Sequence, residues 1–287
     1  MRMEAAFPRH FAIFTGHQAA ERVSGLLLPK IIAYLDHEGI LHTVFENNFP
    51  KTLLGFSDIM VVGGDYDISS VLNHFRTIDL PISVISTDTG NDFINGLQGK
   101  RNFEEQLNIA VGGNKIIVDA GKCNETLFIN RLGFGFSGKV AARLPGKNIF
   151  SGHLAYYAKV LPLLSSYKER YITLETENGE LSGYFFVISV GNGRTYGDGF
   201  PLTPDADCTD GYLDVLMVRE IGIIKRWRHL AKVVRGRHTR LPFVEYFKTR
   251  GMRVSSPALL DAQIDGEYFR DTRFEISILP KQFIFRY

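Results

Sequence analysis

The sequence is poor in the features that mark secreted, metal-bound or membrane-spanning proteins. It has two cysteines, Cys123 and Cys208, which lie too far apart for a metal-binding motif. Their scarcity argues against a disulfide framework and favours a reducing compartment. No apolar run reaches the ~20 residues of a transmembrane helix. Because Pro8, Arg9 and His10 interrupt the amino-terminal segment, we expect no signal peptide and a cytoplasmic protein.

A strong excess of charge is also lacking. The net charge of +2 over 287 residues is too small to indicate a nucleic-acid partner. With 45% hydrophobic and 22% charged residues, the composition is that of a globular protein, long enough for one large or two modest domains. The oligomeric state stays open, with a dimer among the options.

The most informative stretch lies between Ile59 and Phe93, where one pattern occurs twice. A short run of β-forming residues ends in Gly63-Gly64-Asp65, and a second run ends in a turn at 87–92. A helical pattern follows each turn, which predicts a parallel open sheet with both turns at one edge. Ligands of such sheets bind at the carboxyl ends of the strands, where glycine turns and helix N-termini offer N–H groups to phosphate.

The rest of the chain changes texture near residue 119. Before it, strand patterns at 11–15 and 41–45 alternate with helical patterns at 19–37 and 49–56. After it, we predict strands at 171–176, 184–190, 213–218, 252–255 and 274–279, with helices at 153–165 and 222–235. This order predicts a parallel α/β unit followed by a β-rich unit.

The two glycine turns resemble the diacylglycerol kinase catalytic domain, a family of bacterial lipid kinases that also includes sphingosine and ceramide kinases. The family has Gly-Gly-Asp-Gly-Thr after one strand and Gly-Thr-Gly-Asn-Asp-Phe after the next. Here these motifs read GGDYD at 63–67 and DTGNDF at 88–93. Further segments resemble the family in order and spacing: FIN with GFGF at 128–136, GNGR at 191–194, PDADCTDGYLD at 204–214 and DGE at 265–267.

The resemblance implies a particular architecture. We expect an N-terminal parallel-sheet α/β nucleotide-binding domain, similar to NAD kinase and diacylglycerol kinase, at residues 1–122. A β-rich lipid-substrate domain, a β-sandwich, would follow at 123–274. A last strand at about 275–287 would return to the first domain.

The resemblance also implies a function, the ATP-dependent phosphorylation of a hydroxyl of diacylglycerol or a related lipid, with ATP and Mg²⁺ as cofactors. Glu267 would be the general base and Asp65 the catalytic carboxylate that holds magnesium. The residues expected around the nucleotide are Thr43, Gly63, Gly64, Asp65, Tyr66, Asp67, Thr89, Gly90, Asn91 and Asp92. A structural Mg²⁺ would involve Asp207, Asp210 and Tyr212, with Asp119 linked to the metal through water.

Each segment also has a purely structural interpretation. Gly63-Gly64-Asp65 could be a tight turn with an exposed aspartate, and Asn91-Asp92 a helix N-cap. The Asp-Gly pairs at 210–211 and 265–266 are typical of turns, the second of a hairpin that leaves Glu267 exposed. Residues 133–138 match the dinucleotide pattern G-x-G-x-x-G, but no βαβ unit follows and the intervening phenylalanines indicate packing.

Three residues depart from the family motifs: Tyr66, Asp67 and Asp88 replace a glycine, a threonine and a glycine. A tyrosine held in the left-handed region would cost about 1–2 kcal/mol, and an ionised aspartate cannot donate a hydrogen bond. Together with Asp65 and Asp92, these aspartates would repel a triphosphate in the absence of a metal ion. Two alternatives stay open: a catalytically impaired family member that binds lipid or nucleotide, and an NAD kinase-like small-molecule kinase. An apolar pocket in the second domain would favour lipid, and a polar pocket would favour NAD.

A basic segment follows Arg219, with seven lysines or arginines up to Arg240 and only Glu220 against them. A basic helix that carries an aromatic residue can lie on an anionic lipid surface, although a solvated face is the commoner case. We therefore predict peripheral contact with an anionic membrane, at its inner face. The residues predicted for this contact are Lys225, Arg226, Trp227 and Arg228.

Overall fold

The structure is a computed structural model that describes residues 8–15, 20–86, 91–143, 153–197 and 199–287. The first half of the chain contains β1 (His10–Thr15), α1 (Ala20–His37), β2 (Leu41–Glu46), β3 (Asp58–Gly63), α2 (Asp65–His74), β4 (Ile82–Ser86), α3 (Asp92–Gln98) and α4 (Phe103–Gly112). Strands β2, β1, β3 and β4 are neighbours in this order and pair in parallel. Every residue of β3 is buried, as expected for a strand whose two faces are both covered.

The second half is mostly antiparallel. It contains β5 (Lys115–Cys123), β6 (Thr126–Phe128), β7 (Arg131–Gly135), α5 (Phe136–Arg143), α6 (His153–Ser166), β8 (Arg170–Thr176), β9 (Gly179–Gly191), β10 (Leu213–Arg219), α7 (Ile223–Val234), β11 (Val244–Thr249), β12 (Gly251–Ile264) and β13 (Glu267–Arg286). Its core is an apolar cluster that includes Phe134, Phe185 and Phe274. The expected fold class, a parallel α/β unit followed by a β-sandwich, is confirmed.

Strand β13 connects the two halves. Its first part pairs antiparallel with β12 as a hairpin, and its later part pairs antiparallel with β5. Near its end, Phe285 lies beside Ile82 of the parallel sheet. The last strand therefore reaches the first half, as expected. The division at residue 122 stays a prediction, because the sheet is continuous across it.

One local expectation was wrong, and two elements were not predicted. Residues 49–56 form no helix, because Phe49 and Phe56 instead pack from a loop against Phe14 and Phe45, with ring centroids 5.5 and 5.8 Å apart. The segment after Gly135 begins α5, and β11 was not predicted at all. Helix α5 lies directly on β12: a Cβ at Gly138 would come within 2.1 Å of the Asp261 carbonyl oxygen. This close packing explains the glycine pattern that imitates a dinucleotide motif.

Candidate active site

The ends of the two strands that precede the predicted turns lie side by side at one edge of the parallel sheet. Gly63 at the end of β3 is paired in register with Ser86 at the end of β4. Helix α2 begins two residues after Gly63, at Asp65, and helix α3 begins at Asp92. Thr89 and Gly90, together with Asp88, lie outside the described residues.

The backbone of Tyr66 is not in the left-handed region, so this residue carries no strain of that kind. It is the second residue of α2 and therefore has right-handed helical backbone. Its side chain is 38% exposed and lies at the open edge of the sheet. Burial, followed by the negative charges of Glu267 and Asp67, raises the pKa of the Tyr66 hydroxyl.

The Asp67 carboxylate turns back onto the glycine loop. Its Oδ2 atom accepts a hydrogen bond from the Gly64 N–H at 2.9 Å, while the Asp67 N–H donates to the Gly64 carbonyl at 2.9 Å. The Asp67 side chain therefore supplies one half of a capping box at the start of α2, and the return bond is accepted by a backbone carbonyl because Gly64 has no side chain. It also explains Gly63, because a Cβ at that position would lie 2.2 Å from the same carboxylate oxygen.

Asp65 is buried, whereas the interpretation of Gly63-Gly64-Asp65 as a simple tight turn predicted an exposed aspartate. Its two carboxylate oxygens accept from the Phe93 N–H, each at 3.2 Å, and Oδ2 also accepts from Asn130 Nδ2 at 2.9 Å. Burial, followed by the charges of Asp92 and Asp265, raises the pKa of this carboxyl well above its usual value. The donors Phe93 and Asn130 oppose that rise only in part.

Asp92 extends the site toward the second half of the chain. Its side chain accepts from the Gly199 N–H at 2.8 Å, and its carbonyl accepts from Thr195 Oγ1 at 3.3 Å. Asn91, directly before it, is buried. The start of α3 is therefore held by the loop after β9.

A hairpin brings Glu267 to this edge. Ile264 and Glu267 are opposite each other, so Asp265 and Gly266 form a two-residue turn, and Asp265 has a φ of +42°. The hairpin interpretation was therefore right about the turn and about the exposure of Glu267. Glu267 is also close enough to the start of α2 for its charge to act on Tyr66. Glu267 therefore lies near the start of α2, the helix that begins at Asp65.

Asp265 and Asn130 are site residues that the sequence interpretation did not assign. The Asp265 carboxylate accepts from the backbone N–H groups of Ile129, Asn130 and Arg131 at 2.8, 3.1 and 2.8 Å. Burial raises the pKa of Asp265 to about 6, although these three donors oppose it. Asn130 therefore connects Asp65 to the hairpin of Glu267. The Phe-x-Asn and Asp-Gly-Glu segments were the available signals, but only their Glu had been given a role.

Thr43 is not part of this edge. It is paired with Ala12, which in turn is paired with Ile59, four residues before Gly63. At about 3.3 Å per residue, Thr43 lies about 13 Å from the ends of the strands. Its hydroxyl is hydrogen-bonded to His10 Nε2 at 2.9 Å. The nucleotide contact of Thr43 stays a prediction.

The loop at 207–212 is held by donors of the protein. Asp207 accepts from the Thr209 hydroxyl at 2.7 Å, which lowers the pKa of Asp207, and Asp210 accepts from the Tyr212 N–H at 2.9 Å and from the Lys248 ammonium. The buried Asp119 accepts from the N–H groups of Gly211 and Lys281, both at 2.7 Å.

Among the described residues, no group of three or more His, Cys, Asp or Glu side chains is arranged to hold a metal ion. The predicted site needs only Asp210 and backbone carbonyls, so it stays a prediction. A cation there would have to displace Lys248.

An apolar cavity of about 170 Å³ lies beside the active-site edge, between β9, β10 and helices α5, α6 and α7. Its apolar lining includes Phe136, Val140, Leu164, Phe186, Leu216, Val218, Leu230 and Phe243. Arg131 and Tyr196 line it as well, with the Arg131 guanidinium carbon 3.2 Å from the Tyr196 ring centroid. Arg131 follows Asn130 directly, so the cavity adjoins the carboxylate cluster.

Arg226 cannot contribute to the predicted membrane contact. It is 6% exposed, it donates to the carbonyls of Ile221, Leu164 and Tyr167, and it forms an ion pair with Glu169 at 2.5 Å. Its neighbours Lys225, Trp227 and Arg228 are exposed. In the described part of the chain, no helix is both long enough and apolar enough to cross a bilayer.

The parallel sheet, its two turns and the facing sandwich hairpin define a two-part protein with the architecture of NAD kinases and diacylglycerol kinases. The family described as the diacylglycerol kinase catalytic domain matches residues 17–123, and that described as the YegS C-terminal NAD kinase beta sandwich-like domain matches residues 130–284. The second match alone covers more than half of the chain. The chain therefore belongs to the family of proteins that combine a diacylglycerol kinase catalytic domain with this C-terminal sandwich.

Relatives with curated names agree with this membership. A diacylglycerol kinase of Staphylococcus saprophyticus is 27% identical over 213 residues, which are 73% of this chain and 70% of the relative. A diacylglycerol kinase of Staphylococcus aureus is 28% identical over the same length, 68% of its own chain. The crystal structure of a Bacillus anthracis diacylglycerol kinase is similar in fold, with a TM-score of 0.72 at 18% identity, covering 99% of this chain and 98% of that one.

Proposed function

We propose that the protein is an ATP-dependent lipid kinase that transfers phosphate to a hydroxyl of diacylglycerol or a related lipid. The observation that supports this most directly is the chain of contacts from Asp65 through Asn130 to Asp265. This chain joins the glycine turn of β3 to the hairpin that carries Glu267. On this proposal the glycine edge binds phosphate, and Glu267 at the start of the hairpin strand accepts a proton.

The residues at this edge offer the kind of ligand atoms that a magnesium nucleotide requires. Oxygen ligands are those that Mg²⁺ prefers, and Asp65 and Asp92 supply carboxylates. Burial, followed by the charges of Asp92 and Asp265, raises the pKa of Asp65, and a divalent cation bound beside it would favour its ionised form. When bound, Mg²⁺ would neutralise charge on the transferred phosphate. Asp65 and Asp92 would hold it, with Asn130 fixing the orientation of the Asp65 carboxylate.

Glu267 is proposed as the group that accepts the proton of the lipid hydroxyl. Its exposure leaves it accessible to a substrate, and the rigid two-residue turn fixes where its strand begins. A hydroxyl held between Glu267 and the glycine edge would be oriented for attack, which is most of what phosphoryl transfer requires of a protein.

The apolar cavity favours a lipid over NAD as the acceptor. It is lined almost entirely by aliphatic and aromatic side chains and adjoins Asn130, so an acyl chain placed there would leave the headgroup at the cleft. Consumption of ATP would place the reaction on the cytoplasmic side. The NAD kinase-like alternative is not favoured.

The test measures transfer of labelled phosphate from ATP to a mixed lipid extract, with NAD as acceptor in a parallel reaction. We expect labelled lipid, and we expect Glu267→Gln to lower turnover by about 100-fold or more. Glu275→Gln, at another exposed glutamate of β13, is the matched control and should leave turnover unchanged. Absence of labelled lipid over a range of Mg²⁺ concentrations would reject the proposal.

A second candidate is a family member that binds nucleotide or lipid without turnover. The bond from the Gly64 N–H to Asp67 favours it, because this carboxylate stands where a phosphate oxygen would otherwise accept. The double variant Tyr66→Gly with Asp67→Thr restores the family motif. Turnover in that variant alone would establish the second candidate.

A further inference from the structure

Helix α7 presents three different faces. At about 100° per residue, its side chains divide into a buried face, an apolar exposed face and a basic face. The buried face, which lines the apolar cavity, consists of Arg226, His229, Leu230 and Val233. The apolar exposed face consists of Ile223, Ile224, Trp227 and Val234, which are 49, 81, 43 and 45% exposed. The basic face consists of Lys225, Arg228, Lys232 and Arg235, all exposed.

The helix is held firmly while these faces remain in solvent. Arg226 fastens its buried face through three backbone carbonyls and Glu169. Trp227 lies beside Arg226 and donates its indole N–H to Ser165 Oγ at 3.0 Å, which orients the ring at the surface. Four large apolar side chains on one helix form an exposed apolar patch, and patches of this kind mark sites that contact a protein or a membrane.

The positive charge of the protein is concentrated around this patch. Six exposed basic residues lie between 225 and 240, and no acidic residue occurs between 221 and 240, although the whole chain has a net charge of only +2. Desolvation and the charges of Lys232, Arg228 and Lys225 lower the pKa of His229, which agrees with a positive local field. A partner that matches both faces has negative charge at its surface and an apolar layer directly below it. A bilayer of anionic lipids has both properties.

We propose that α7 is an interfacial helix that lies in the surface of an anionic bilayer. Ile223, Ile224 and Trp227 enter the acyl boundary, and the basic face contacts the headgroups. Because the opposite side of the helix lines the apolar cavity, a lipid chain can pass from the bilayer along Leu230 into the cavity without crossing water. The docking itself is independent of catalysis; only its role in substrate delivery rests on the proposed kinase function.

Trp227 is the single tryptophan of the chain, so intrinsic fluorescence reports on α7 alone. Vesicles of phosphatidylcholine with about one third phosphatidylglycerol should shift its emission to shorter wavelength, and brominated acyl chains should quench it. Vesicles of pure phosphatidylcholine should produce a weaker effect that salt does not change. An emission spectrum that anionic vesicles leave unchanged would overturn the proposal.

Sedimentation with the same vesicles tests the two exposed faces separately. Ile224→Glu and the pair Lys225→Glu with Arg228→Glu should each lower the partition coefficient about tenfold or more. The matched controls are Leu54→Glu, an apolar residue 88% exposed in the first half, and the pair Lys51→Glu with Lys100→Glu. Equal losses in variants and controls would show a nonspecific effect and overturn the proposal.

Two further measurements separate the remaining outcomes. If the Ile224→Glu variant converts a dimer into a monomer in sedimentation velocity, a second copy covers α7 and the membrane assignment is wrong. The Glu267→Gln variant should bind vesicles as the natural protein does. Vesicle binding without lipid phosphorylation would then reject only the kinase function, and phosphorylation without vesicle binding would reject only this inference.

Discussion

The Asp67 carboxylate accepts a hydrogen bond from the backbone N–H of Gly64 at 2.9 Å. This one contact connects the two departures of the glycine turn from the family motif. It gives the Gly64 N–H a side-chain acceptor at the start of α2, the helix in which Tyr66 has ordinary helical backbone. It also occupies an N–H group that a glycine turn would otherwise direct at phosphate. Under the proposed function, the stability of the turn and its affinity for a nucleotide would therefore compete.

Replacement of Asp67 should show that competition. We expect Asp67→Thr to lower the free energy of unfolding by about 1 kcal/mol, because the cap is lost, and to raise Mg-ATP affinity about fivefold or more. Asp67→Asn removes the charge but keeps an oxygen that can accept from the Gly64 N–H. It therefore shows whether Asp67 weakens nucleotide binding through its negative charge or by accepting the hydrogen bond of Gly64. Calorimetric titration and urea unfolding give both quantities. Equal nucleotide affinity in all three proteins would contradict the competition.

Asn130 should matter for both stability and activity. Asn130→Ala removes a donor from the buried Asp65 carboxylate, which we expect to cost about 1.5–3 kcal/mol in the free energy of unfolding. Turnover should fall as well, because Asp65 loses its fixed orientation. Asn178→Ala, in the exposed turn before β9, is the control and should change stability by less than about 0.5 kcal/mol. An Asn130→Ala protein as stable as that control would show that the bond does not hold the site.

The pKa of Asp265 predicts the direction in which stability depends on pH. Its pKa is about 6 in the folded protein and about 3.8 without burial, so between these values the folded state holds a proton that the unfolded chain has released. The free energy of unfolding should therefore decrease as pH rises from about 4 to above 6, by up to about 3 kcal/mol. The raised pKa of Asp65 acts with the same sign.

Chemical unfolding measured at several pH values tests this slope. Asp265→Asn cannot titrate and should unfold with a smaller dependence on pH, although with lower stability overall, because an amide matches three N–H donors less well than a carboxylate. A slope that is the same in both proteins would show that Asp265 is ionised throughout. Burial raises the pKa of Asp58, but its hydrogen bonds to Arg9 and Arg286 lower it by more, so the net shift is downward. Asp58 therefore makes the free energy of unfolding increase with pH, but only at pH values below those at which Asp265 titrates.

Arg226 should behave as a structural residue and its neighbour Lys225 should not. Arg226→Ala leaves Glu169 without its buried partner and removes three bonds to carbonyls, so we expect a loss of about 3–5 kcal/mol. Lys225→Ala should change the free energy of unfolding by less than about 0.5 kcal/mol. Thermal or urea unfolding of the two variants decides between them. Similar stabilities would contradict the buried ion pair.

The sheet edge could be predicted from the sequence because its signals are local. The apolar runs of β3 and β4, each ending in a turn rich in glycine or aspartate, are enough to indicate parallel strands with adjacent ends. The neighbours of Asp65 could not be predicted in the same way. Asn130 and Asp265 are separated by 135 residues, and only the antiparallel pairing of β12 with β7 brings them together.

The basic segment shows a second limit. The sequence indicates a helix with many positive charges, but Arg226 and Arg228 look alike in it. Which of them turns inward depends on where Glu169 and the carbonyls of α6 lie, and these come from another part of the chain.

By itself, the sequence determined most of the strands and helices, though not α5 or β11, and the composition of the two turns, because these follow from periodicity and turn chemistry over a few residues. Tertiary structure decided which carboxylates are buried together, which side of α7 meets solvent, and that the loop at 49–56 packs without forming a helix. The physical reason is that burial, and with it the pKa of Asp65 and Asp265, is set by residues far away in the chain.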